Sequence, residues 1–233
     1  MKSNLFIAEY FTTQGCLNID QGVNLWHLLN QVLLMGIPGD VVELGCLSGR
    51  TAAVMARTLR DFGSRKGLYL YDSFEGLPEP TAEDVGCPLI PANFKVAKEV
   101  VLEIFGMWGL PDPIIVPGWF RDTLPNELPE VIAFAHLDGD LYRSVKESLE
   151  AVYPRLAPGA VVLVDDYAEQ GLCERIAEAY NGNPYTRNHR RKYLPSDWLP
   201  GVRQACDEFL ADKPEEMTVL IAGDERHGFF RKM

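Results

Sequence analysis

The 233-residue chain has no apolar run near the ~20 residues that a membrane-spanning helix needs. It also lacks internal repeats and low-complexity tracts. Positive charge is scarce, with 22 Lys and Arg against 33 Asp and Glu and a formal net charge of −11. Coating a nucleic-acid backbone needs concentrated Lys and Arg, so no nucleic-acid partner is expected. The 5 cysteines, Cys16, Cys46, Cys87, Cys173 and Cys206, include no CxxC pair. A zinc knuckle, a thioredoxin-type site and a disulfide-dense scaffold are therefore excluded, and reduced, largely buried thiols are expected. Met1-Lys2-Ser3-Asn4 opens no long apolar stretch, so a secretory leader is not expected and the reading is a cytoplasmic protein with no membrane partner. What is present, 47% hydrophobic and 24% charged residues, suits one globular domain with an ample core.

Short β-branched runs alternate with amphipathic stretches. Strands are expected at 40–44, 68–71, 113–116, 131–137 and 160–164, with two more near 217–221 and 228–231. Nearly continuous apolar strands point to a parallel sheet covered on both faces. Helices are expected at 23–35, 51–59, 95–105, 144–156, 173–180 and 202–210, with Pro158-Gly159 punctuating the fourth before its strand. The expected fold is α/β: a doubly wound, mostly parallel seven-stranded sheet in a single domain over 1–233. Residues 1–36 form a helical or lid segment, and 172–200 an insertion near the active site. The insertion carries Arg187, His189, Arg190, Arg191 and Lys192 in an otherwise acidic chain. A solvated loop and a lid over an acidic or ring-bearing ligand are both open readings.

Three motifs carry chemistry. Glu43-Leu44-Gly45-Cys46-Leu47-Ser48-Gly49-Arg50 ends a strand and opens a helix. Its glycines permit a tight turn and close ligand approach, and the helix offers free N–H groups. The spacing departs from GxGxxG, and an acidic residue at the turn suits a ligand with a positive amino group rather than a diphosphate. Asp72, in Tyr71-Asp72-Ser73-Phe74-Glu75-Gly76, follows roughly 20 residues beyond Gly49, where a carboxylate would accept from ribose hydroxyls. It could also simply cap its turn. Finally, Leu137-Asp138-Gly139-Asp140 and Val164-Asp165-Asp166-Tyr167 end two consecutive strands, which lie about 4.8 Å apart if paired. Asp138, Asp165 and Asp166 can then converge, and like charges so close call for a cation. Oxygen-only ligands favour a hard ion such as Mg²⁺. Read singly, Asp138 or Asp140 could be a helix cap.

Taken together, Val41 to Phe209 resembles the macrocin O-methyltransferase family of Mg²⁺-dependent enzymes of natural-product biosynthesis, which use S-adenosylmethionine. The matching pieces are the Glu43 turn, Asp72-Ser73-Phe74-Glu75-Gly76-Leu77-Pro78 and Pro117-Gly118-Trp119-Phe120-Arg121-Asp122-Thr123-Leu124-Pro125. They continue in Leu137-Asp138-Gly139-Asp140-Leu141-Tyr142, Asp165-Asp166-Tyr167 and Gly201-Val202-Arg203-Gln204-Ala205. A long segment separates Asp166-Tyr167 from Trp198, and the closing strand reads Gly228-Phe229-Phe230-Arg231-Lys232 where the family pattern has a Trp.

The resemblance implies methyl transfer from S-adenosylmethionine to a hydroxyl, on a sugar or vicinal diol of a small natural-product acceptor. It implies cofactor contacts from Glu43, Gly45, Ser48, Gly49, Asp72, Ser73, Phe74, Trp119 and Phe120. Asp138, Asp165 and Asp166 would hold Mg²⁺, and Asp138 is the candidate base. His136, two residues back on the same strand face, either assists or is a satisfied buried histidine. A homodimer is compatible with this reading. Two other readings stay open: an aspartate-nucleophile Mg²⁺-dependent phosphatase using Asp138-Gly139-Asp140, and a non-catalytic nucleoside-binding protein on the same fold.

Overall fold

The computed structural model describes residues 19–180, 198–223 and 225–233. Its frame is a seven-stranded sheet: β1 (Asp40–Leu44), β2 (Leu68–Asp72), β3 (Ile114–Pro117), β4 (Ile132–Leu137), β5 (Leu156–Asp165), β6 (Thr218–Ala222) and β7 (Glu225–Arg231). The order is β3-β2-β1-β4-β5-β7-β6. All pairs are parallel except β5 with β7 and β6 with β7. Strand order reverses between β1 and β4, the switch point at which ligands of such sheets bind, beyond the strand carboxyl ends.

Two helical groups cover the faces. Helices α1 (Ile19–Leu34), α2 (Arg50–Phe62) and α3 (Glu99–Met107) contact one another in succession, as do α4 (Phe120–Glu127), α5 (Tyr142–Val152) and α7 (Pro200–Leu210). Helix α6 (Gln170–Tyr180) follows β5. The Ala-rich face of α2, with Ala52, Ala53, Val54, Met55 and Ala56, is buried, so this helix packs close to the sheet. Left-handed Gly63 ends it by donating its N–H to the Arg60 carbonyl. Every residue of β4 is buried, and Leu29, Val42, Leu70, Phe105, Phe134 and Val162 fill the core around it. None of the described helices is long and apolar enough to cross a membrane.

The seven expected strands are present, with two corrections to the elements. Pro158-Gly159 does not punctuate a helix; it lies inside β5, which begins at Leu156 after a short 3-10 turn at Tyr153–Arg155. The β4–β5 register slips between Ile132 and Phe134, and Gly159 takes φ +85, so the pair forms an irregularity within the strand. Its N–H still donates to the Lys232 carbonyl at 2.7 Å. Helix α4 was not expected: it is 8 residues long and contains Pro125, which removes a donor and hides the periodicity. The basic run at 187–192 lies outside the described residues. Its flanks are joined: the Trp198 indole donates to the Ala168 carbonyl at 3.0 Å.

Candidate active site

The sheet's carboxyl edge opens into a cavity of about 520 Å³. Its construction starts at Gly45. Leu44 accepts the Asp138 N–H and Gly45 donates to Tyr71, both at 2.8 Å, so the β1 turn is laced to β4 and β2 at once. Gly45 has φ +90, and a Cβ there would fall 1.9 Å from the Asp138 carbonyl oxygen. Only glycine permits that approach. Gly49, left-handed at the N-terminus of α2, faces Val101 and does not line the cavity.

Asp72 ties the next two loops together. One oxygen accepts the Leu47 N–H and the other the Phe74 N–H, each at 2.8 Å. Burial raises its carboxyl above the ordinary value, and these two donors partly offset the rise. Leu47 and Phe74 both take positive φ, a conformation that costs free energy and is held here by those bonds. The Asp72 carbonyl accepts from Gly118, placing Trp119 and Phe120 at the opening of α4 on the cavity wall.

The acidic cluster forms the floor. Ligand atoms of Asp138, Asp140 and Asp166 lie within 4.8 Å of one another, as do those of His136, Asp138 and Asp165. Asp138 belongs to both groups. Burial, then the charges of Asp165 and Asp140, pushes Asp138 well above the usual carboxylate range. Burial and the charge of Asp166 do the same to Asp140. Burial would raise Asp165 too, but His227, His136 and Arg226 outweigh it and hold that carboxyl below the usual range. Asp140 and Asp166 both take φ +58.

Gly45, Ser48, Asp72, Ser73, Trp119, Phe120, Asp138, Asp165 and Asp166 line the cavity together. Phe74 does not; it contributes the N–H that orients Asp72. Glu43 differs from the expectation. It is fully buried, does not line the cavity, and one oxygen lies 2.8 Å from His136 Nδ1. Glu43 and His136 are register partners on β1 and β4, which explains the contact. Burial would lower the His136 pKa; the Glu43 bond and charge raise it.

Four site residues escaped sequence reasoning. Asp140 joins the cluster, a placement its DxD spacing from Asp138 already signalled. Gln21 of α1 lines the cavity and donates to Asp165 at 3.4 Å. Arg226 and His227 of β7 lie 3.1 Å from Asp166 and 2.9 Å from Asp165. Both depend on the antiparallel β5–β7 register, which pairs Asp165 with His227.

A crevice at the β1/β4 switch point, a nearby carboxylate on β2 and an antiparallel β7 inserted beside β5 define a Rossmann-like methyltransferase fold. Residues 20–188 match the profile described as Macrocin-O-methyltransferase (TylF), and the chain belongs to that family. It is 39% identical over 168 residues to 8-demethyl-8-(2,3-dimethoxy-alpha-L-rhamnosyl)-tetracenomycin-C 4'-O-methyltransferase of Streptomyces olivaceus, across 68% of this chain and 64% of that one. It is 31% identical over 166 residues to Mycinamicin III 3''-O-methyltransferase of Micromonospora griseorubida, across 66% of this chain and 65% of that one. The match thus spans less than two thirds of the length of either relative. The solved structure of the O-methyltransferase NovP superposes with a TM-score of 0.72 at 26% identity, over 92% of this chain and 80% of that one. The calicheamicin methyltransferase CalS11, at 20% identity and a TM-score of 0.65 over 99% and 91% of the two chains, shares the fold.

Proposed function

We propose that this protein transfers the methyl group of S-adenosylmethionine to a hydroxyl of a small natural product, with a divalent cation in the acidic cluster. The observation that carries the reading is the convergence of Asp138, Asp140, Asp165 and Asp166 beside the Gly45 turn, on one cavity floor. A sugar hydroxyl is the acceptor we favour, because the Streptomyces olivaceus relative is named for a rhamnosyl substrate. The Asp138-Gly139-Asp140 pair follows the fourth strand rather than the first, which sets it apart from the phosphatase pattern.

The donor set fits a hard cation. Carboxylate oxygens dominate both groups, and two acids driven above their ordinary range by burial and then by their neighbours' charges gain from a neutralising ion. Asp138, Asp140, Asp165 and Asp166 would hold it. When bound, the ion would acidify an acceptor hydroxyl. S-adenosylmethionine supplies a sulfonium methyl.

The chain's own residues do the rest. Each Asp72 oxygen already takes one backbone N–H and keeps a further lone pair for a ribose hydroxyl. The Gly45–Ser48 turn admits the nucleoside close to the backbone, and Trp119 and Phe120 close its side. Alignment of donor and acceptor supplies several kcal/mol of the barrier. A cofactor held there by Asp72 and the Gly45–Ser48 turn would supply the methyl carbon, its C–S bond breaking as the C–O bond forms and the sulfur keeping the electron pair. The hydroxyl proton passes to Asp138, the cavity-lining carboxylate that belongs to both acidic groups.

Isotope-labelled S-adenosylmethionine and a panel of glycosylated natural products test the reading by mass spectrometry. One labelled methyl should appear on oxygen, disappear with excess chelator and return with Mg²⁺. Full turnover in excess chelator overturns the metal assignment and leaves the methyl transfer standing.

A further inference from the structure

Arg226 is the largest side chain fully buried among the described residues, and it is buried among acids. One guanidinium nitrogen lies 3.1 Å from Asp166 Oδ1 and another 3.5 Å from a Glu225 oxygen. Its charge also reaches Asp165, and Cys173 of α6 lies against it. An arginine stays protonated in any such environment. A permanent positive charge is therefore fixed beside the carboxylates that would hold the cation.

We propose that Arg226 is a built-in counter-cation of the acidic cluster, which organises Asp166 in the metal-free protein and sets how tightly the cluster takes a divalent ion. This rests on the metal reading above. A carboxylate has two oxygens and about four acceptor positions, so pairing with the guanidinium does not by itself use up Asp166 as a ligand. Arginine and ion can both sit on one carboxylate. They do repel each other, and a unit charge beside a divalent ion in a partly buried site outweighs the small ordering gained by pinning one short Asp side chain. Arg226 thus weakens binding while keeping the empty cluster from being an uncompensated group of like charges. Glu225, on the cavity wall, draws part of the guanidinium's charge away from Asp166.

Calorimetric titration of the purified full chain with Mg²⁺ and Mn²⁺, alongside thermal unfolding with and without each ion, tests the assignment without any acceptor. Arg226→Gln, which keeps polar contacts but loses the charge, should bind either ion at least about tenfold more tightly than the wild type. The metal-free variant should melt lower, and added Mg²⁺ should raise its melting temperature by more than it raises the wild type's. Arg226→Lys, which keeps the charge, should bind within about threefold of wild type. Glu225→Gln leaves the guanidinium to Asp166 and should shift affinity the opposite way, so a direction survives even if Arg226→Gln fails to fold. Equal or weaker binding by Arg226→Gln, or unchanged affinity in Glu225→Gln, overturns the proposal. If wild type and all three variants bind neither ion, the metal reading itself fails; binding by wild type with no change in the variants sinks only the role of Arg226.

Discussion

Two left-handed glycines separate the cost of a conformation from the cost of a contact. Gly63, with φ +71, has nothing within 4 Å of where a Cβ would stand. Gly63→Ala should cost about 1 kcal/mol, the penalty for a side chain in that region, and leave cofactor affinity unchanged. Gly45 has the same sign of φ, but its added methyl would meet the Asp138 carbonyl at 1.9 Å. Gly45→Ala must push the β1 turn off β4, so it should lose both stability and S-adenosylhomocysteine affinity. Urea denaturation and calorimetry on the two variants check the contrast. Asp72 is a third case: both oxygens are engaged by backbone donors, so Asp72→Ala removes the ribose partner and loosens the Leu47 and Phe74 loops together. Loss of its charged hydrogen bonds should weaken S-adenosylhomocysteine by roughly 1.5–3 kcal/mol. Unchanged calorimetric affinity would remove Asp72 from the cofactor site.

At the level of elements, α1 is both wall and scaffold. Leu25, Leu29 and Val32 are buried on it, and Gln21, one turn before Leu25, reaches the cavity. Leu29→Ala should destabilise the fold by about 2–5 kcal/mol, because a fully buried side chain is cut back inside a close-packed core; the denaturation midpoint reads this directly. The legibility of the elements follows the same logic. Strands β1, β2 and β4 were readable because a buried parallel strand must be largely apolar, and Val41-Val42, Leu70-Tyr71 and Ile132 to Ala135 are. Helix α4 was not, since 8 residues with an internal proline leave too little pattern. Gly159 reads as a stop in isolation, yet the bond it donates to Lys232 belongs to a strand far along the chain. The site divides in the same way. Asp138, Asp165 and Asp166 sit at strand ends that local pattern locates, whereas Arg226 and His227 reach the cluster only through the register of β7 against β5. Glu43 was visible as an acid at the turn, but its turning toward His136 depends on the β1–β4 pairing.

For the molecule as a whole, the closing of the sheet depends on one buried acid far from the cavity. Glu215, just after α7, accepts from Lys232 at 2.7 Å, from the Tyr153 hydroxyl at 2.7 Å and from the Met233 N–H at 3.1 Å. It joins the turn ahead of β5, the segment beyond α7 and the residues beyond β7. Burial alone would raise its pKa, but the Lys232 and Tyr153 bonds outweigh that and lower it from the ordinary 4.5 to about 2. The sign follows from which state binds the proton. Between those values the unfolded chain takes up a proton that the folded one refuses, so acid favours unfolding. The contribution of Glu215 is therefore fully present above about pH 4.5 and fades as pH falls toward 2. Glu215→Gln should cost roughly 1.5–3 kcal/mol at neutral pH, since hydrogen bonds to a charged group are lost or weakened. Melting temperatures of wild type and variant, recorded from pH 7 downward, should run parallel to about pH 5 and converge below it. A gap that persists undiminished at pH 3 would show that the carboxylate's charge does not stabilise this closure, leaving side-chain packing and neutral hydrogen bonds as its source.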